Sequence, residues 1–224
     1  MSGVSIAVDG PGSSGKGTVA RGVAEALGFQ YVDTGSMYRS VALMALRRGV
    51  PLDDEDRLEA LARALRFVFD WHDGELRVHV DGEDVTKAIR ENEVSRWASS
   101  VSRFHGVREA LTGLQRHMAD TGRVVMDGRD IGTVVLPDAT LKVYLDASIE
   151  VRAQRRFAEL EARGQPVDLE TVRVELAERD RQDMERAEAP LRVADDAVVI
   201  DSSGLAIEQA IEAVLALAEA RNIR

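Results

Sequence analysis

A glycine-rich segment near the start of the chain constrains the fold more than any other feature. Residues 10–18 read Gly-Pro-Gly-Ser-Ser-Gly-Lys-Gly-Thr, directly after an apolar run at 4–8 and at the start of a helical pattern. Glycines let the backbone wrap closely around a phosphate, and a helix N-terminus adds partial positive charge. A lysine there reaches the phosphates as a point charge. The segment therefore predicts a phosphate-binding loop. The alternative is a tight strand–helix turn, which would not need a lysine.

The loop departs from the commonest phosphate-loop spelling at one position. Gly17 stands where a serine or threonine usually follows the lysine, and Thr18 comes one place later. The spelling GKGT resembles nucleoside monophosphate kinases rather than GTPases or motor-type ATPases. We expect Thr18 to contact an α-phosphate, and Mg²⁺ to be held mostly by ATP oxygens and water. The residues predicted to bind ATP are Gly10, Pro11, Gly12, Ser13, Ser14, Gly15, Lys16, Gly17 and Thr18.

Composition and charge narrow the class of protein. The chain has 224 residues, a formal net charge of −10 and no cysteine. The charge should repel nucleic acid, and the absence of cysteine excludes disulfides and thiolate metal sites. No apolar run approaches the roughly 20 residues that span a membrane, and no basic region precedes the first apolar run. We expect a cytoplasmic protein without nucleic-acid or membrane partners and, since no oligomer signal is clear, a monomer.

Short β-branched runs predict five strands, at residues 4–8, 29–33, 124–127, 141–146 and 197–201. The central runs VVM and KVYLD are nearly continuous in β-forming or apolar residues, which is typical of strands covered on both faces. Helical patterns alternate with the strands, among them residues 15–27, 37–48 and 206–220. This alternation predicts an α/β fold with a parallel sheet flanked by helices.

Two segments interrupt that pattern. Apolar residues alternate on both sides of His72-Asp73-Gly74-Glu75, which predicts a β-hairpin with an Asp-Gly turn in an insert at about residues 63–100. Helical patterns at 149–163 and 169–185 are separated by Gly164-Gln165-Pro166-Val167-Asp168. This second segment is rich in charge and poor in large apolar residues, so it predicts a loosely held helical hairpin that acts as a lid.

Three further stretches join the loop in one resemblance. They read DTGSMYR at 33–39, DGRDIGTVV at 127–135 and ERDRQDMERAEAPL at 178–191. Together the four stretches resemble the bacterial cytidylate kinases, which are P-loop nucleoside monophosphate kinases, and the similarity runs nearly end to end. The resemblance implies one three-layer kinase domain whose five-stranded parallel sheet has the order 2-3-1-4-5. We expect a core at 1–33, 103–148 and 187–224, a monophosphate-binding region at 34–102 and a lid at about 149–186.

The same resemblance implies the site residues. Those expected to bind the acceptor nucleotide are Thr34, Tyr38, Arg39, Ser99, Arg108, Arg129, Asp130, Arg179, Asp183 and Arg186. Family members often carry serine at the position of Thr34, which keeps the hydroxyl. The residues expected to be catalytic are Lys16, Arg129, Arg179 and Arg186. We assign Arg155 and Arg156, together with Arg152, to the ATP phosphates.

The residues themselves support part of this assignment. Arg179, Asp183 and Arg186 share one helix face by spacing, although such a face alone is usually a solvated salt-bridge ladder. Asp130 can accept hydrogen bonds from the exocyclic amine of cytosine, which uracil lacks, and Ser99 can read the same edge. Asp127 ends the apolar strand VVMD, where it is either linked to the metal through water or a turn cap.

The predicted activity is transfer of the ATP γ-phosphoryl group to CMP or dCMP, with Mg²⁺ bound to ATP. One alternative is a kinase of the same fold that acts on UMP, AMP or a small metabolite such as shikimate. A less favoured alternative is a nucleotide-binding switch without phosphoryl transfer. The glycine after the loop lysine and the absence of an NKxD-type guanine reader argue against such a switch.

Overall fold

The structure, a computed structural model, describes residues 3–72, 75–120 and 122–224. In chain order its elements are β1 Ser5–Asp9, α1 Lys16–Leu27, β2 Gln30–Asp33, α2 Thr34–Arg47, α3 Glu55–Ala64, β3 Phe67–His72, β4 Glu75–Val80, β5 Glu83–Asp84, α4 Asn92–Val101, α5 His105–Asp120, β6 Val124–Gly128, β7 Leu141–Asp146, α6 Ile149–Ala162, α7 Leu169–Glu185, β8 Val198–Asp201 and α8 Ile207–Ala220. A short 3₁₀ turn at Ala88–Arg90 and a π-helix at Ile131–Val135 complete the list.

The predicted sheet is present with the expected strand order. Five strands lie side by side in the order β2-β6-β1-β7-β8, which is 2-3-1-4-5 when these five are numbered along the chain. Strand β1 pairs in parallel with both β6 and β7, and β7 pairs in parallel with β8. The α/β fold and its strand order are therefore confirmed, and each predicted strand lies within one residue of its observed bounds.

The central strands are apolar because both of their faces are covered. All five residues of β6 are buried, as are the last four of β1 and the first five of β7. Val124 and Met126 of β6 pack with Ala7 of β1 in one core cluster. Helix α1 packs against α8 and β6. The edge strand β8 alternates instead between exposed and half-buried residues, as a strand with one solvated face does.

Helix α2 begins earlier than the sequence pattern indicated. We predicted its start at residue 37, whereas it starts at Thr34. The reason is a cap: Asp33 has an extended backbone, and its Oδ1 accepts a hydrogen bond from the backbone N–H of Ser36 at 2.9 Å. An aspartate in that position satisfies a donor that the helix leaves unpaired and therefore fixes the first residue of the helix.

The insert contains both strands and helix. Residues of the predicted hairpin lie in antiparallel β3 and β4, with Phe67 opposite Val80, and the short β5 adds a third strand. The predicted turn at Asp73-Gly74 lies outside the described residues. Helix α4 then occupies 92–101, because Val94, Ala98 and Val101 bury one helical face. The part of the insert that follows the strands is thus largely helical.

The helical hairpin predicted as a lid is formed by α6 and α7. Its apolar contact is small: in the described part of the chain, the buried cluster consists of Ala153, Leu160, Val172 and Leu176, with Ile149 and Val167 packed against it. Helix α7 starts at its predicted residue, where the Asp168 side chain accepts a hydrogen bond from the N–H of Thr171.

The chain divides into two compact units. One comprises residues up to 32 together with 118–224, and the other comprises residues 33–117. The first unit contains the five-stranded sheet, except Asp33 at the end of β2, and the α6–α7 hairpin. Helices α2, α3 and α4 and the antiparallel strands belong to the second. Among the described residues, no helix combines the length and apolar character needed to span a bilayer.

Candidate active site

Two glycines shape the predicted phosphate loop. A Cβ on Gly10, at the end of β1, would lie 2.2 Å from the carbonyl oxygen of Leu145, so no side chain fits there. Gly15 has a φ of 90° and forms the N-cap of α1, a left-handed conformation that favours glycine. The loop therefore packs tightly on β7 and leads directly into a helix N-terminus, whose first N–H groups lack partners within the helix. Thr18 is exposed in the first turn of that helix.

The loop lysine is buried and bonded to the loop itself. Lys16 is 7% exposed, and its Nζ donates to the carbonyl oxygen of Pro11 at 2.9 Å. Burial lowers the pKa of Lys16 well below its usual value, and the neighbouring Arg129 lowers it further, while Asp127 acts in the opposite direction. The Ser14 Oγ is buried and has no hydrogen-bond partner among the described residues. A bound anion would provide partners for both groups.

Two arginines of α6 contact the predicted phosphate loop. The Nη1 of Arg152 donates to the Gly12 carbonyl at 3.2 Å and to Asp180 Oδ2 at 2.6 Å. The Nη1 of Arg155 donates to the Ser14 carbonyl at 3.1 Å, and its Nη2 donates to the Ser202 carbonyl at 2.7 Å. These two guanidinium groups thus contact the backbone of the loop predicted to bind ATP.

The third arginine of α6 makes a different contact. The Nη1 of Arg156 donates to Glu159 of the same helix at 2.9 Å. Its assignment to ATP phosphates stays a prediction.

Four of the predicted acceptor residues form one buried charge network. The Nε of Arg129 donates to Asp183 Oδ2 at 2.9 Å, and the Nη2 of Arg186 donates to Asp130 Oδ1 at 3.3 Å. The Nη1 of Arg186 also lies 4.0 Å from Asp183 Oδ1, which links the two pairs. The side chains of Asp183 and Arg186 are 7% and 5% exposed. They therefore do not belong to a solvated salt-bridge ladder on the helix surface.

Electrostatics keep the Arg129–Asp183 pair charged. Burial would raise the pKa of Asp183, but Arg129, Arg179 and Arg186 together hold it below its usual value. Burial would lower the pKa of Arg129, yet the carboxylates of Asp183, Asp180 and Asp127 together outweigh it and raise the pKa. Arg179, whose charge acts on both Lys16 and Asp183, belongs to the same group. The result is a cluster of arginines close to the phosphate loop.

Sequence reasoning missed Asp9, the last residue of β1. Its Oδ1 and Oδ2 accept hydrogen bonds from the backbone N–H groups of Ile131 and Gly132, both at 2.8 Å. Burial raises the pKa of Asp9 to about 7, although these two hydrogen bonds lower it in part. Asp9 thereby anchors the π-helix that directly follows Asp130. A polar residue at the end of the apolar strand SIAVD was the available signal.

Asp127 is the predicted metal-side carboxylate. It is buried, and its Oδ1 accepts a hydrogen bond from the hydroxyl of Tyr31 at 2.7 Å. In the described part of the chain, no three His, Cys, Asp or Glu residues come together as metal ligands. A carboxylate that lies beside the phosphate loop without forming such a cluster fits a magnesium ion that keeps most of its coordination to nucleotide oxygens and water.

The remaining predicted acceptor residues lie in the second unit. Thr34, Tyr38 and Arg39 are on α2, where the Nη2 of Arg39 pairs with Asp33 Oδ2 at 2.7 Å. The Arg108 guanidinium lies 5.5 Å from the centroid of the Tyr38 ring, which is a cation–π distance.

Ser99 adds a hydroxyl to this group. It lies on α4, which packs against α2. Its Oγ is buried without a hydrogen-bond partner among the described residues, so a ligand would be its natural acceptor or donor.

Solved structures resemble this fold at low sequence identity. Shikimate kinase from Bacteroides thetaiotaomicron superimposes with a TM-score of 0.52 at 14% identity, with 96% of this chain and 98% of that chain covered. An uncharacterised protein from Eubacterium ventriosum gives a TM-score of 0.52 at 12% identity, with coverages of 96% and 98%. The sheet order and the lysine-bearing loop define the fold as that of the P-loop kinases.

Sequence comparisons identify the family. The model of the cytidylate kinase family matches residues 6–220. A cytidylate kinase from Pelotomaculum thermopropionicum is 51% identical over 212 residues, covering 94% of each chain. Those from Geobacter sulfurreducens and Streptococcus pneumoniae are 48% and 46% identical, covering 94% and 99% of this chain and 90% and 100% of their own lengths. The chain belongs to the cytidylate kinase family.

Proposed function

We propose that this protein transfers the γ-phosphoryl group of ATP to the phosphate of CMP or dCMP and forms the diphosphate. The observation that supports this proposal most directly is a group of cations at the phosphate loop, where the buried Lys16 lies within electrostatic range of the half-buried Arg129 and Arg179. Such a set suits a reaction in which negative charge is spread over a transferring phosphoryl group. Membership of the cytidylate kinase family supports CMP as the acceptor.

The reaction depends more on alignment of the two phosphates than on a general base. The phosphate of the acceptor is already anionic at neutral pH, so its oxygen attacks without losing a proton to the protein. Lys16 contributes positive charge at the β- and γ-phosphates of ATP, and the arginines Arg129, Arg179 and Arg186 neutralise the transferring group. The ion pairs of Arg129 and Arg186 with Asp183 and Asp130 hold these guanidinium groups in place before substrate arrives.

Magnesium bound to the β- and γ-phosphates would supply charge neutralisation and would fix the geometry of the triphosphate. Asp127 would hold it through water, which fits a carboxylate near the end of β6 that is not part of a ligand cluster among the described residues. The resemblance assigns Thr34, Tyr38, Arg39 and Arg108 to the acceptor, and the cation–π contact between Arg108 and Tyr38 supports a fixed orientation of that arginine.

Recognition of cytosine is assigned to Asp130 and Ser99. A carboxylate accepts a hydrogen bond from the cytosine exocyclic amine, whereas uracil presents a carbonyl oxygen at that position. Replacing Asp130 by alanine should therefore lower the ratio of kcat/KM for CMP to that for UMP by about tenfold or more. The exposed Asp138→Ala variant is the control, and an unchanged ratio in Asp130→Ala would remove Asp130 from base recognition.

The α6–α7 hairpin is proposed to close over the triphosphate. Closure excludes water, which would otherwise compete with the monophosphate as acceptor. Its small apolar cluster supports a segment that opens at low cost. We further propose a monomer that acts in the cytoplasm, where a chain without cysteine needs no oxidising compartment.

The proposal is tested with a panel of acceptors. Purified protein with ATP and magnesium should release ADP rapidly with CMP or dCMP, and slowly with UMP, AMP, shikimate or no acceptor. Lys16→Ala should reduce turnover by at least about 100-fold while the circular dichroism spectrum is retained. Lys87→Ala, an exposed lysine, is the matched control and should keep its turnover. ADP release that does not depend on the acceptor would contradict the proposal.

A further inference from the structure

The hydroxyl group of Tyr31 lies where phosphate loops of the common type carry a side chain. In those loops a serine or threonine follows the lysine and its hydroxyl binds magnesium. Here that position is Gly17, and a Cβ built on it would lie 3.3 Å from Tyr31 Oη and 3.7 Å from Asp127 Oδ2. A phenol from β2 thus reaches the space beside the first turn of α1 that the glycine leaves open.

The Tyr31 hydroxyl is tied to the predicted metal-side carboxylate. It donates to Asp127 Oδ1 at 2.7 Å, a short hydrogen bond of the charge-assisted kind. Tyr31 and Asp127 are both 6% exposed, so the bond is shielded from competing water. Because the bond uses Oδ1, the carboxylate is turned with Oδ2 towards Gly17 and the phosphate loop.

We propose that Tyr31 is a positioning residue for magnesium-bound nucleotide: it orients Asp127 towards the loop and replaces, from another strand, the hydroxyl that Gly17 lacks. This inference rests on the proposed function in taking MgATP as the ligand of the loop and Asp127 as the carboxylate that holds its magnesium through water. The Tyr31 hydroxyl can lie there only because residue 17 is a glycine, since a side chain at this position would crowd the phenol. Groups that hold a metal-linked carboxylate in place typically change metal affinity by 10–100-fold when they are removed.

The test measures binding and needs no turnover. ATP affinity is determined by calorimetry with saturating Mg²⁺ and again with excess EDTA, and the ratio of the two affinities is the magnesium gain. Tyr31→Phe should reduce this gain by about tenfold and leave the affinity in EDTA unchanged. Asp127→Asn should show a similar loss, and the double variant should be no worse than Asp127→Asn alone, because both changes act through one carboxylate.

A matched control and a rescue separate positioning from general damage. Tyr144→Phe removes another buried phenol from the same sheet and should keep the full magnesium gain. Gly17→Ser in the Tyr31→Phe background returns a hydroxyl to the same space and should recover part of the gain. Thermal melts of every variant show whether the fold is retained.

The outcomes distinguish this inference from the proposed function. An unchanged gain in Tyr31→Phe, or an equal loss of affinity with and without magnesium, would overturn the positioning role. A failed rescue would overturn the claim that Tyr31 replaces the missing loop hydroxyl. If instead the wild type shows the magnesium gain and Tyr31→Phe loses it, while CMP is not phosphorylated, the inference stands and the proposed acceptor is wrong.

Discussion

Replacing Asp9 by asparagine should remove a pH dependence of stability that the buried carboxyl imposes. The carboxyl is 5% exposed and lies among groups that include Asp130 and Lys16. Burial raises its pKa from 3.8 to about 7 in the folded protein. In the unfolded chain the same group is hydrated, so its pKa returns to the ordinary value near 4.

The direction and size of the effect follow from the raised pKa. Between pH 4 and 7 the folded protein binds a proton that the unfolded chain has released, so the free energy of unfolding falls as the pH rises. At about 1.4 kcal/mol per pH unit, the interval between 3.8 and about 7 corresponds to a fall on the order of 4 kcal/mol. The contribution is fully present below pH 4 and lost above pH 7. An asparagine does not titrate, so its contribution is constant.

The measurement is urea denaturation of wild type and Asp9→Asn at a series of pH values from 4 to 8. Far-UV circular dichroism is the suitable probe, since both tryptophans, Trp71 and Trp97, lie in residues 33–117 and Asp9 does not. The wild type should lose stability relative to the variant as the pH rises. Asp53→Asn, at an exposed loop position, is the control and should follow the wild type. A constant difference between wild type and Asp9→Asn would refute the reasoning.

Three further variants or ligand effects can be measured with the same preparations. Arg152→Met leaves Asp180 as an uncompensated buried charge and should lower the free energy of unfolding by about 3–5 kcal/mol. The double variant Arg152→Met/Asp180→Leu should recover much of this lost stability, which denaturation of all four proteins of the mutant cycle measures. ATP binding at pH 8 should be coupled to uptake of a proton, because burial holds the pKa of Lys16 low and the bound triphosphate raises that pKa. Calorimetry in buffers of different ionisation enthalpy measures the proton uptake, and Lys16→Met should abolish it. Gly10→Ala should cost more than about 2 kcal/mol because its methyl group meets the Leu145 carbonyl, while Gly204→Ala, with open space around it, should change the melting temperature little.

The strands and helices of the core could be predicted from short stretches of sequence, because the residues that favour each strand or helix lie within that strand or helix or next to its ends. The β-branched runs between helical patterns are sufficient to locate five strands, and Gly164, Pro166 and Asp168 mark the break before α7. The strand order came from the family resemblance, since no local signal specifies which strands become neighbours. The DTGS segment did contain a cap signal in Asp33, and reading it would have placed the start of α2 correctly.

The candidate site is predictable only in part. The phosphate loop follows from glycine and lysine in one short segment, whereas the roles of residues such as Ser99 and Arg179 rest on the resemblance and stay predictions. The contacts of Asp9 with Ile131, and of Tyr31 with Asp127, join positions 122 and 96 residues apart. Such pairs depend on tertiary packing, which no window of the sequence contains. The π-helix after Asp130 likewise has no propensity signal.

Helix α7 contacts two parts of the candidate site. A Cβ on Gly12 would lie 3.4 Å from Leu176 of this helix, so the helix packs closely on the predicted phosphate loop. Two turns further along, the same helix carries Asp183, which holds Arg129. Because one helix touches both groups, a substitution in α7 that changes the surroundings of Arg129 is expected to alter the packing on Gly12 as well.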